Sequence, residues 1–300
     1  MNVNNKTRIT VGIPVYNSER SIKKRIEEIN SQTFQDFSIV ISDNASTDKT
    51  REICEEISKN DERITVFHQE KNRGQYWNFN FVLNKAETEY FVMATGDDIW
   101  SKNFLENNIK FLETNKQFTG SIGEVSLFHR NGENIEVIRN TKKFEYVMPV
   151  NGEFEKKLSS YLRYSMGTQF YSIFRTKDIK FANFFKNNSN YGMWQSDFAT
   201  ILKILKKGEL NVDIKSFYYK EISNKSKSII HYMKKMEFSN NEILFSKLIF
   251  SSWFLKEFGI KEYFKNLHVL LFYNIKWLRS ILGEITRMCK RLIFGQEKYW

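Results

Sequence analysis

Cysteines and long apolar segments are scarce in this chain of 300 residues. Its two cysteines, Cys54 and Cys289, lie far apart and form no Cys-x-x-Cys or Cys/His cluster. This argues against a disulfide framework or a structural zinc site and favours a reducing cytoplasm. The polar start, MNVNNKTRITVGIPVYN, lacks the features of a secretion signal. The longest charge-free run near the C-terminus, Asn266–Ile275, has ten residues, whereas a spanning helix needs about twenty. We therefore expect no transmembrane anchor.

The two common phosphate-binding loops are also missing. No GxGxxG follows the first predicted strand, and GxxxxGK[ST] occurs nowhere. A dinucleotide dehydrogenase or a P-loop NTPase would therefore have to bind phosphate by unusual means.

Net charge is unevenly placed along the chain. Residues 1–200 carry 27 Lys+Arg against 26 Asp+Glu, whereas residues 201–300 carry 19 against 9, so +10 of the total +11 is C-terminal. Nucleic-acid recognition motifs such as an RNP sequence, a Cys/His finger or a basic zipper do not accompany this charge. We therefore expect no nucleic-acid partner and favour an anionic membrane surface.

The first hundred residues alternate strand and helix patterns with short connections. Strands are predicted at Ile9–Pro14, Ser38–Ser42, Ile64–His68 and Tyr90–Ala94, with helically spaced apolar residues between them. This alternation predicts an α/β fold with a parallel sheet, and ligands bind beyond the carboxyl ends of such strands. The segments at that edge are Pro14–Asn17, Asp43–Ser46, Asn72–Gly74 and Thr95–Asp98.

Two adjacent carboxylates, Asp97 and Asp98, follow the apolar strand Tyr90–Ala94. Adjacent like charges there are costly unless a cation lies between them. Oxygen ligands favour Mg²⁺ or Mn²⁺, which commonly take one or two carboxylates plus substrate phosphates. A cation-bridged phosphate site is therefore predicted, and a solvated turn is the alternative.

Four motifs together carry a family resemblance. In order and spacing, VGIPVYN, IVISDNASTDKT, NRGQYWNFN and ATGDD resemble the nucleotide-sugar-binding half of the family 2 glycosyltransferases, over roughly residues 8–100. The resemblance implies the GT-A fold, which is Rossmann-like with a mostly parallel central sheet flanked by helices. It also implies sugar transfer from a nucleotide diphosphate donor, with Mn²⁺ or Mg²⁺ on the diphosphate and usually with inversion at the anomeric carbon.

The resemblance also assigns residues of this chain to the donor site. Asp43 resembles the aspartate that accepts from the nucleobase, usually uracil, and Arg73 is expected near the base or the diphosphate. Asp97 is expected to orient the ribose and the metal waters, and Asp98 to ligate the metal directly. Pro14, Val15 and Tyr16 are expected to form the wall against the base, and Asn17 ends the same segment. For Asp43 the alternative is a turn residue.

The acceptor half is expected in the middle of the chain. Ser121–Phe128, Gln169–Arg175 and Asn211–Tyr219 read as strands, and Phe198–Leu205 as a helix. Where family members often carry a Glu-Asp pair, this chain has Ser196-Asp197. Asp197 is therefore the candidate general base, and a helix N-terminal aspartate is the alternative.

Two further signals concern processivity and the metal. The QxxRW signature of processive synthases is missing, which favours transfer of one sugar per encounter. His231 lies where family enzymes sometimes place a metal-binding histidine, and a surface or core histidine is the alternative.

We expect a GT-A catalytic domain at residues 1–225, with a nucleotide-sugar-binding half (1–100) and an acceptor half (101–225). Residues 226–300 are expected to form a basic, aromatic-rich helical extension. Its mixture of Trp, Phe and Leu with Lys and Arg is typical of interfacial membrane helices, and a helical cap on the catalytic domain is the alternative.

The expected function is that of a nonprocessive, metal-dependent glycosyltransferase, peripheral on the inner face of the cell membrane. Its donor is a nucleotide diphosphate sugar, UDP-linked by preference. Its acceptor is a glycan or lipid-linked glycan in cell-surface polysaccharide or glycoconjugate synthesis. The alternatives are a nucleotide-sugar-binding protein without turnover and a sugar nucleotidyltransferase, although the Gly-rich, Arg/Lys-bearing loop expected of the latter is missing from VGIPVYNSER.

Overall fold

A computed structural model describes residues 7–95, 98–131, 134–138, 152–164, 167–182, 196–221, 230–231, 233 and 239–294. The strands are β1 Ile9–Val15, β2 Phe37–Asp43, β3 Ile64–His68, β4 Tyr90–Met93, β5 Ile99–Trp100, β6 Phe118–Asn131, β7 Asn134–Ile138, β8 Ile173–Arg175 and β9 Glu209–Glu221. The helices are α1 Ile22–Asn30, α2 Thr50–Asn60, α3 Gln75–Lys85, α4 Phe104–Thr114, α5 Phe154–Tyr164, α6 Thr176–Ala182, α7 Ser196–Lys207, α8 Asn240–Lys265 and α9 Leu267–Phe294.

The strands form one sheet in the order β3-β2-β1-β4-β8-β6-β9-β5, with β7 paired to β6. The first four strands are parallel, and their register aligns Val15 with Asp43 and Asp43 with His68. Beyond β4 the sheet is mixed, because β8 pairs antiparallel with both β4 and β6. The parallel pairing predicted from the first hundred residues is therefore found in β1 to β4, and the α/β class is confirmed.

The core consists of two apolar layers on opposite faces of the sheet. Along β4, Phe91 and Met93 belong to one layer, whereas Tyr90 and Val92 belong to the other, as the two-residue period of a strand requires. Gly12 in β1 allows close approach of α3, because an added Cβ would lie 2.8 Å from Phe91 and 3.0 Å from Val82. The sheet edge that carries the polar motifs is thus positioned from both faces.

The two C-terminal helices pack on the rest of the α/β domain. Trp253 of α8 and Tyr273 of α9 are buried in the same cluster as Leu158 of α5 and Leu202 of α7. The opposite side of α9 stays exposed, including Leu271, Ile275, Leu278, Leu282 and Ile285. The extension is therefore a packed cap that also presents an apolar outer row, and none of the described helices is long and apolar enough to cross a membrane.

One predicted element differs from the structure. Gln169–Arg175 was expected to be a strand, but only Ile173–Arg175 is one, because Thr168–Tyr171 forms a 3-10 turn. Gly167 starts this turn at φ +80°, a left-handed conformation that glycine adopts without strain. The turn brings Tyr171 onto Tyr218, with ring centroids 5.8 Å apart.

Candidate active site

The carboxyl ends of β2 and β3 carry a charged cluster. Asp43 is 2% exposed, and its Oδ1 accepts a hydrogen bond from the Ser46 amide at 3.0 Å. Its Oδ2 lies 3.3 Å from Nδ1 of His68, whose Nε2 lies 3.3 Å from Oε1 of Glu55 on α2. The carboxylate of Asp43 is thus held on both oxygens.

Two buried asparagines tie the neighbouring loops to this edge. Asn44 donates to Oδ1 of Asn72 at 2.8 Å and to the carbonyl of Gly74 at 3.2 Å, while its own Oδ1 accepts from the Arg73 amide. Asn78 of α3 donates to the carbonyl of Ser42 at 2.9 Å. These bonds fix the loop between β3 and α3, in which Gly74 has φ +85°.

The guanidinium of Arg73 lies 4.6 Å from the ring centroid of Trp77. Its side chain is exposed. A stacked, exposed guanidinium keeps its N–H groups available to an anion. The structure therefore places Arg73 on the same sheet edge as Asp43 in a form that suits phosphate.

The expected base wall divides into exposed and buried parts. Tyr16 is 46% exposed and Pro14 is partly exposed, whereas the side chain of Val15 belongs to the core. Asn17 has φ +50°, and its Oδ1 accepts from the amide of Thr47 at 2.9 Å. Pro14 and Tyr16 can therefore face a ligand with their side chains, while Asn17 joins the loops after β1 and β2.

Asp98 is the centre of a buried hydrogen-bond network and is 5% exposed. Its Oδ2 accepts from the hydroxyls of Thr95 and Tyr218, and its Oδ1 accepts from the amide of Glu221 at 3.2 Å. Asp97 lies outside the described residues. The bonds to Asp98 join the turn after β4 to β9 across the sheet.

Two buried groups shape the electrostatics around Asp98. Burial lowers the pKa of the Arg25 guanidinium, and the charges of Glu28 and Asp98 act in the opposite direction. Burial raises the pKa of the Tyr218 hydroxyl well above its usual value, and the Asp98 charge adds to the effect. Tyr218 therefore remains a hydrogen-bond donor to Asp98 at physiological pH.

The candidate base, Asp197, lies in the first turn of α7. Its Oδ1 accepts from the Phe198 amide at 2.9 Å, and a Cβ added to Gly167 would lie 2.8 Å from its Oδ2. Burial, followed by the charge of Asp197, raises the pKa of Tyr273 well above its usual value. Asp197 thus lies between the 3-10 turn, whose Tyr171 stacks on Tyr218, and the C-terminal helix α9.

His231 lies beside residues that pack against α9. It is exposed, and its neighbours Ile230 and Met233 pack against Trp277 and Ile281 of α9. Within the described residues, no group of three or more His, Cys, Asp or Glu side chains could hold a metal ion by itself. The expected role of His231 as a ligand stays a prediction.

The described ligand atoms fit Mg²⁺ or Mn²⁺ only if the substrate and water complete the coordination of the ion. Asp98 supplies carboxylate oxygens, the ligand class that these ions prefer. Its oxygens already accept three internal hydrogen bonds, so most of their roughly four lone-pair positions are used. A cation here needs further oxygen ligands, which matches the usual pattern of one or two carboxylates completed by substrate phosphates and water.

Several residues of the site were not singled out from the sequence: Arg25, Asn44, His68, Asn78 and Tyr218. Arg25 sits among surface-type charges in IKKRIEEIN, and nothing in that pattern marks it as buried. Tyr218 reads only as one of several aromatics in a strand. Asn44 and Asn78 lie inside two of the motifs that carry the family resemblance. Their position there was the one sequence signal that could have marked them as site residues.

An α/β sheet with a polar carboxyl edge of this kind is typical of domains that bind a ligand beyond the carboxyl ends of their strands. The model of the glycosyl transferase family 2 matches residues 10–180. The chain therefore belongs to glycosyltransferase family 2.

Curated relatives agree with this assignment. GlyG, a glycosyltransferase of Streptococcus pneumoniae, is 35% identical over 98 residues, which is 33% of this chain and 33% of that protein. A putative teichuronic acid biosynthesis glycosyltransferase of Bacillus subtilis, TuaG, is 33% identical over 107 residues, which is 36% of this chain and 42% of that protein. In both cases the match covers less than half of the relative's length.

Solved structures share the fold. S. aureus TarS 1–349 in complex with UDP-GlcNAc superposes with a TM-score of 0.63 at 19% identity, covering 97% of this chain and 77% of that one. The mannosyltransferase PcManGT of Pyrobaculum calidifontis, in complex with GDP-Man and Mn²⁺, gives a TM-score of 0.54 at 15% identity, covering 96% of this chain and 76% of that one. The expected GT-A fold is thereby confirmed.

Proposed function

We propose that this chain transfers one sugar per encounter from a UDP-sugar to a hydroxyl of a glycan or lipid-linked glycan, with inversion at the anomeric carbon. The observation that carries the proposal is the common sheet edge of Asp43, Arg73 and Asp98, which combines an acceptor for a nucleobase, a guanidinium for a diphosphate and a carboxylate, Asp98, that anchors the segment next to the proposed metal ligand. The relatives TuaG and TarS, named for teichuronic acid biosynthesis and solved with UDP-GlcNAc respectively, support a cell-surface acceptor and a UDP donor.

The donor is proposed to bind with its base between Tyr16 and Asp43. An ionised carboxylate only accepts hydrogen bonds, so Asp43 suits a base that offers an N–H, as uracil does at N3. Tyr16 and Pro14 supply the surface on which the base lies, and Asn17 holds the loop that carries them. Arg73 then reaches the diphosphate.

We propose that Asp97 contacts the cation directly and that Asp98 is a positioning residue next to it in the chain. The family resemblance implied direct contact by Asp98, but the three internal donors on Asp98 favour the positioning role. When bound, Mn²⁺ or Mg²⁺ neutralises charge on the diphosphate leaving group.

The chemical step is assigned to Asp197. Its carboxylate takes the proton of the acceptor hydroxyl as that oxygen bonds to the anomeric carbon, and the bond from this carbon to the donor phosphate oxygen breaks. The electron pair of the broken bond leaves with the nucleotide diphosphate. Because attack and departure occur on opposite faces of the sugar, the configuration inverts. Gly167 lies against Oδ2 of Asp197, so a side chain at position 167 would occupy space beside the carboxylate of this proposed general base.

We propose that the outer row of α9 contacts anionic lipids on the inner face of the cell membrane. This row consists of Leu271, Ile275, Leu278, Leu282 and Ile285. These five side chains are exposed, and residues 240–300 carry ten Lys+Arg against five Asp+Glu. Apolar side chains beside basic residues are what interfacial helices use. The contact would keep the acceptor side near lipid-linked glycans.

A thermal-shift panel of UDP, GDP, CDP and ADP with and without Mn²⁺ tests the donor assignment. A ligand that binds the native state raises its stability by an amount set by ligand concentration over Kd. We expect the largest shift in melting temperature with UDP and Mn²⁺ together. If none of the four nucleotides shifts the melting temperature, the proposal is contradicted. Release of UDP from UDP-sugars separates an enzyme from a binding protein without turnover.

A further inference from the structure

His68 lies between two carboxylates at the edge where the base is proposed to bind. It ends β3 directly beside Asp43 at the end of β2. Its Nδ1 is 3.3 Å from Oδ2 of Asp43, and its Nε2 is 3.3 Å from Oε1 of Glu55. Ionised carboxylates only accept hydrogen bonds, so both contacts form when both ring nitrogens carry a proton.

The surroundings of this imidazole are strongly negative. The thiol of Cys54, buried on α2 next to Glu55 in the chain, has its pKa raised to about 12 by burial and by the charges of Asp43, Asp48 and Glu55. The pKa of Glu55 is lowered, first by its hydrogen bond to Arg51 and in part by His68. His68 therefore lies among carboxylates, one of which, Asp43, is 2% exposed.

Asp43 has one hydrogen-bond contact on each oxygen, from the Ser46 amide to Oδ1 at 3.0 Å and between Nδ1 of His68 and Oδ2 at 3.3 Å. Two such bonds on different oxygens fix the rotation of the carboxylate about its Cβ–Cγ bond. If the bond from His68 is removed, the hydrogen bond from the Ser46 amide is the one left on that carboxylate among the described residues. The side chain of His68 itself is 19% exposed, so it lies at the margin of the site.

We propose that His68 is a positioning residue that holds Asp43 as an oriented hydrogen-bond acceptor and so sets the choice of nucleobase. The inference rests on the proposed donor site. Uracil offers an N–H at N3, whereas cytosine presents an acceptor there, so an oriented carboxylate favours UDP over CDP. A site built to accept one hydrogen bond rejects an analogue that lacks the donor.

The test compares the affinities of UDP and CDP, with Mn²⁺, by calorimetry in the wild type, His68→Phe and Glu55→Gln. We expect His68→Phe to reduce the ratio of UDP to CDP affinity about tenfold, the scale of one hydrogen bond to a charged group. Glu55→Gln keeps an oxygen opposite Nε2 and removes a charge from the same cluster, so its ratio should stay within about twofold of the wild type.

Two outcomes separate the two proposals. If the wild type binds neither nucleotide, the proposed function fails, and this inference fails with it. If the wild type prefers UDP and His68→Phe keeps the full preference, only the role of His68 is wrong, even if the variant unfolds at a lower temperature. A lower melting temperature with an unchanged ratio marks His68 as a purely structural link between β3 and α2.

A second measurement needs no folded Phe variant. In wild-type protein labelled with ¹⁵N-histidine, UDP should shift the ring resonances of His68, one of four histidines, more than CDP does. His68→Gln assigns the signal by its loss. Ring resonances of His68 that respond equally to both nucleotides overturn the inference.

Discussion

Arg25 donates from Nη1 to the backbone carbonyl of Asp98 at 2.8 Å, which ties α1 to the turn after β4. Its guanidinium also lies 4.2 Å from the ring centroid of Trp100. Nε and Nη2 of Arg25 are buried and have no hydrogen-bond partner in the part of the chain that the structure describes. The negative face of the Trp100 ring attracts the buried guanidinium and so stabilises it. The turn is thus held through its backbone by α1 and through the Asp98 side chain by β9.

Tyr218→Phe removes one donor from this arrangement without changing the size of the ring. The hydrogen bond goes to a buried carboxylate, so we expect the free energy of unfolding to fall by about 1–3 kcal/mol. The thermal shift produced by UDP with Mn²⁺ should fall as well, because Asp98 positions the turn. Urea denaturation and thermal shift measure the two effects.

Tyr219→Phe is the matched control for Tyr218→Phe, since it removes a partly exposed hydroxyl from the next residue of the same strand. It should leave both quantities unchanged. Equal effects of the two substitutions would show that the bond from Tyr218 to Asp98 has no special part in the site.

The two neighbouring aspartates are predicted to differ in kind. Asp97→Ala should abolish the dependence of UDP binding on Mn²⁺ while the free energy of unfolding stays near that of the wild type. Asp98→Ala should lower the free energy of unfolding by several kcal/mol, because it leaves the hydroxyls of Thr95 and Tyr218 and the amide of Glu221 without their acceptor.

Calorimetry with and without Mn²⁺ and urea denaturation measure these two effects. If Asp98→Ala is as stable as the wild type and loses only the metal dependence, then Asp98 is the direct ligand and the proposed division between the two residues is wrong.

Much of the donor half could be predicted from the sequence because its signals are local. The strands β1 to β4 begin and end within one residue of the predicted bounds, since short β-branched runs between amphipathic helices have few alternative readings. Asp43 and Asp98 could be placed at one edge because parallel strands end on the same side.

The contacts that orient these residues could not be predicted, because they join positions far apart in the chain. Asp98 and Tyr218 are separated by 120 residues, and Asn78 and Val15 by 63. A charge within a helix, such as Arg25, has the same local pattern whether it faces solvent or the core. The 3-10 turn at Thr168–Tyr171 was missed because its apolar residues fit a strand equally well, and only the φ of Gly167 distinguishes the two.

Asp197→Asn is predicted to separate chemistry from binding. Loss of general-base help costs about a hundredfold or more in rate, so transfer to an acceptor should fall by at least that factor. Because Asp197 is assigned to the acceptor hydroxyl and not to the nucleobase or the diphosphate, the affinity for UDP should stay within about twofold of the wild type. Single-turnover transfer and calorimetry measure the two quantities.

A matched control for Asp197→Asn is Asp213→Asn, which alters a partly exposed aspartate of β9 that hydrogen-bonds Asn107 at 3.1 Å. It should leave the rate of transfer unchanged. Unaltered transfer by Asp197→Asn would remove this residue from the chemical step and leave it the role of a helix N-terminal aspartate.

The last prediction concerns the outer row of α9. Leu278 and Leu282 are 42% and 51% exposed, so replacing both by Glu should leave the fold intact. We expect the double variant to lose most of its cosedimentation with anionic vesicles, because it removes apolar insertion and adds negative charge.

The control is the double variant of Ser280 and Thr286, each replaced by Glu, which adds the same charge at exposed polar positions of the same helix. It should weaken binding less, and chiefly at low salt, since charge attraction is screened while apolar insertion is not. Full-length protein that stays in the supernatant with anionic vesicles at both low and high salt would leave α8 and α9 as a packing cap alone.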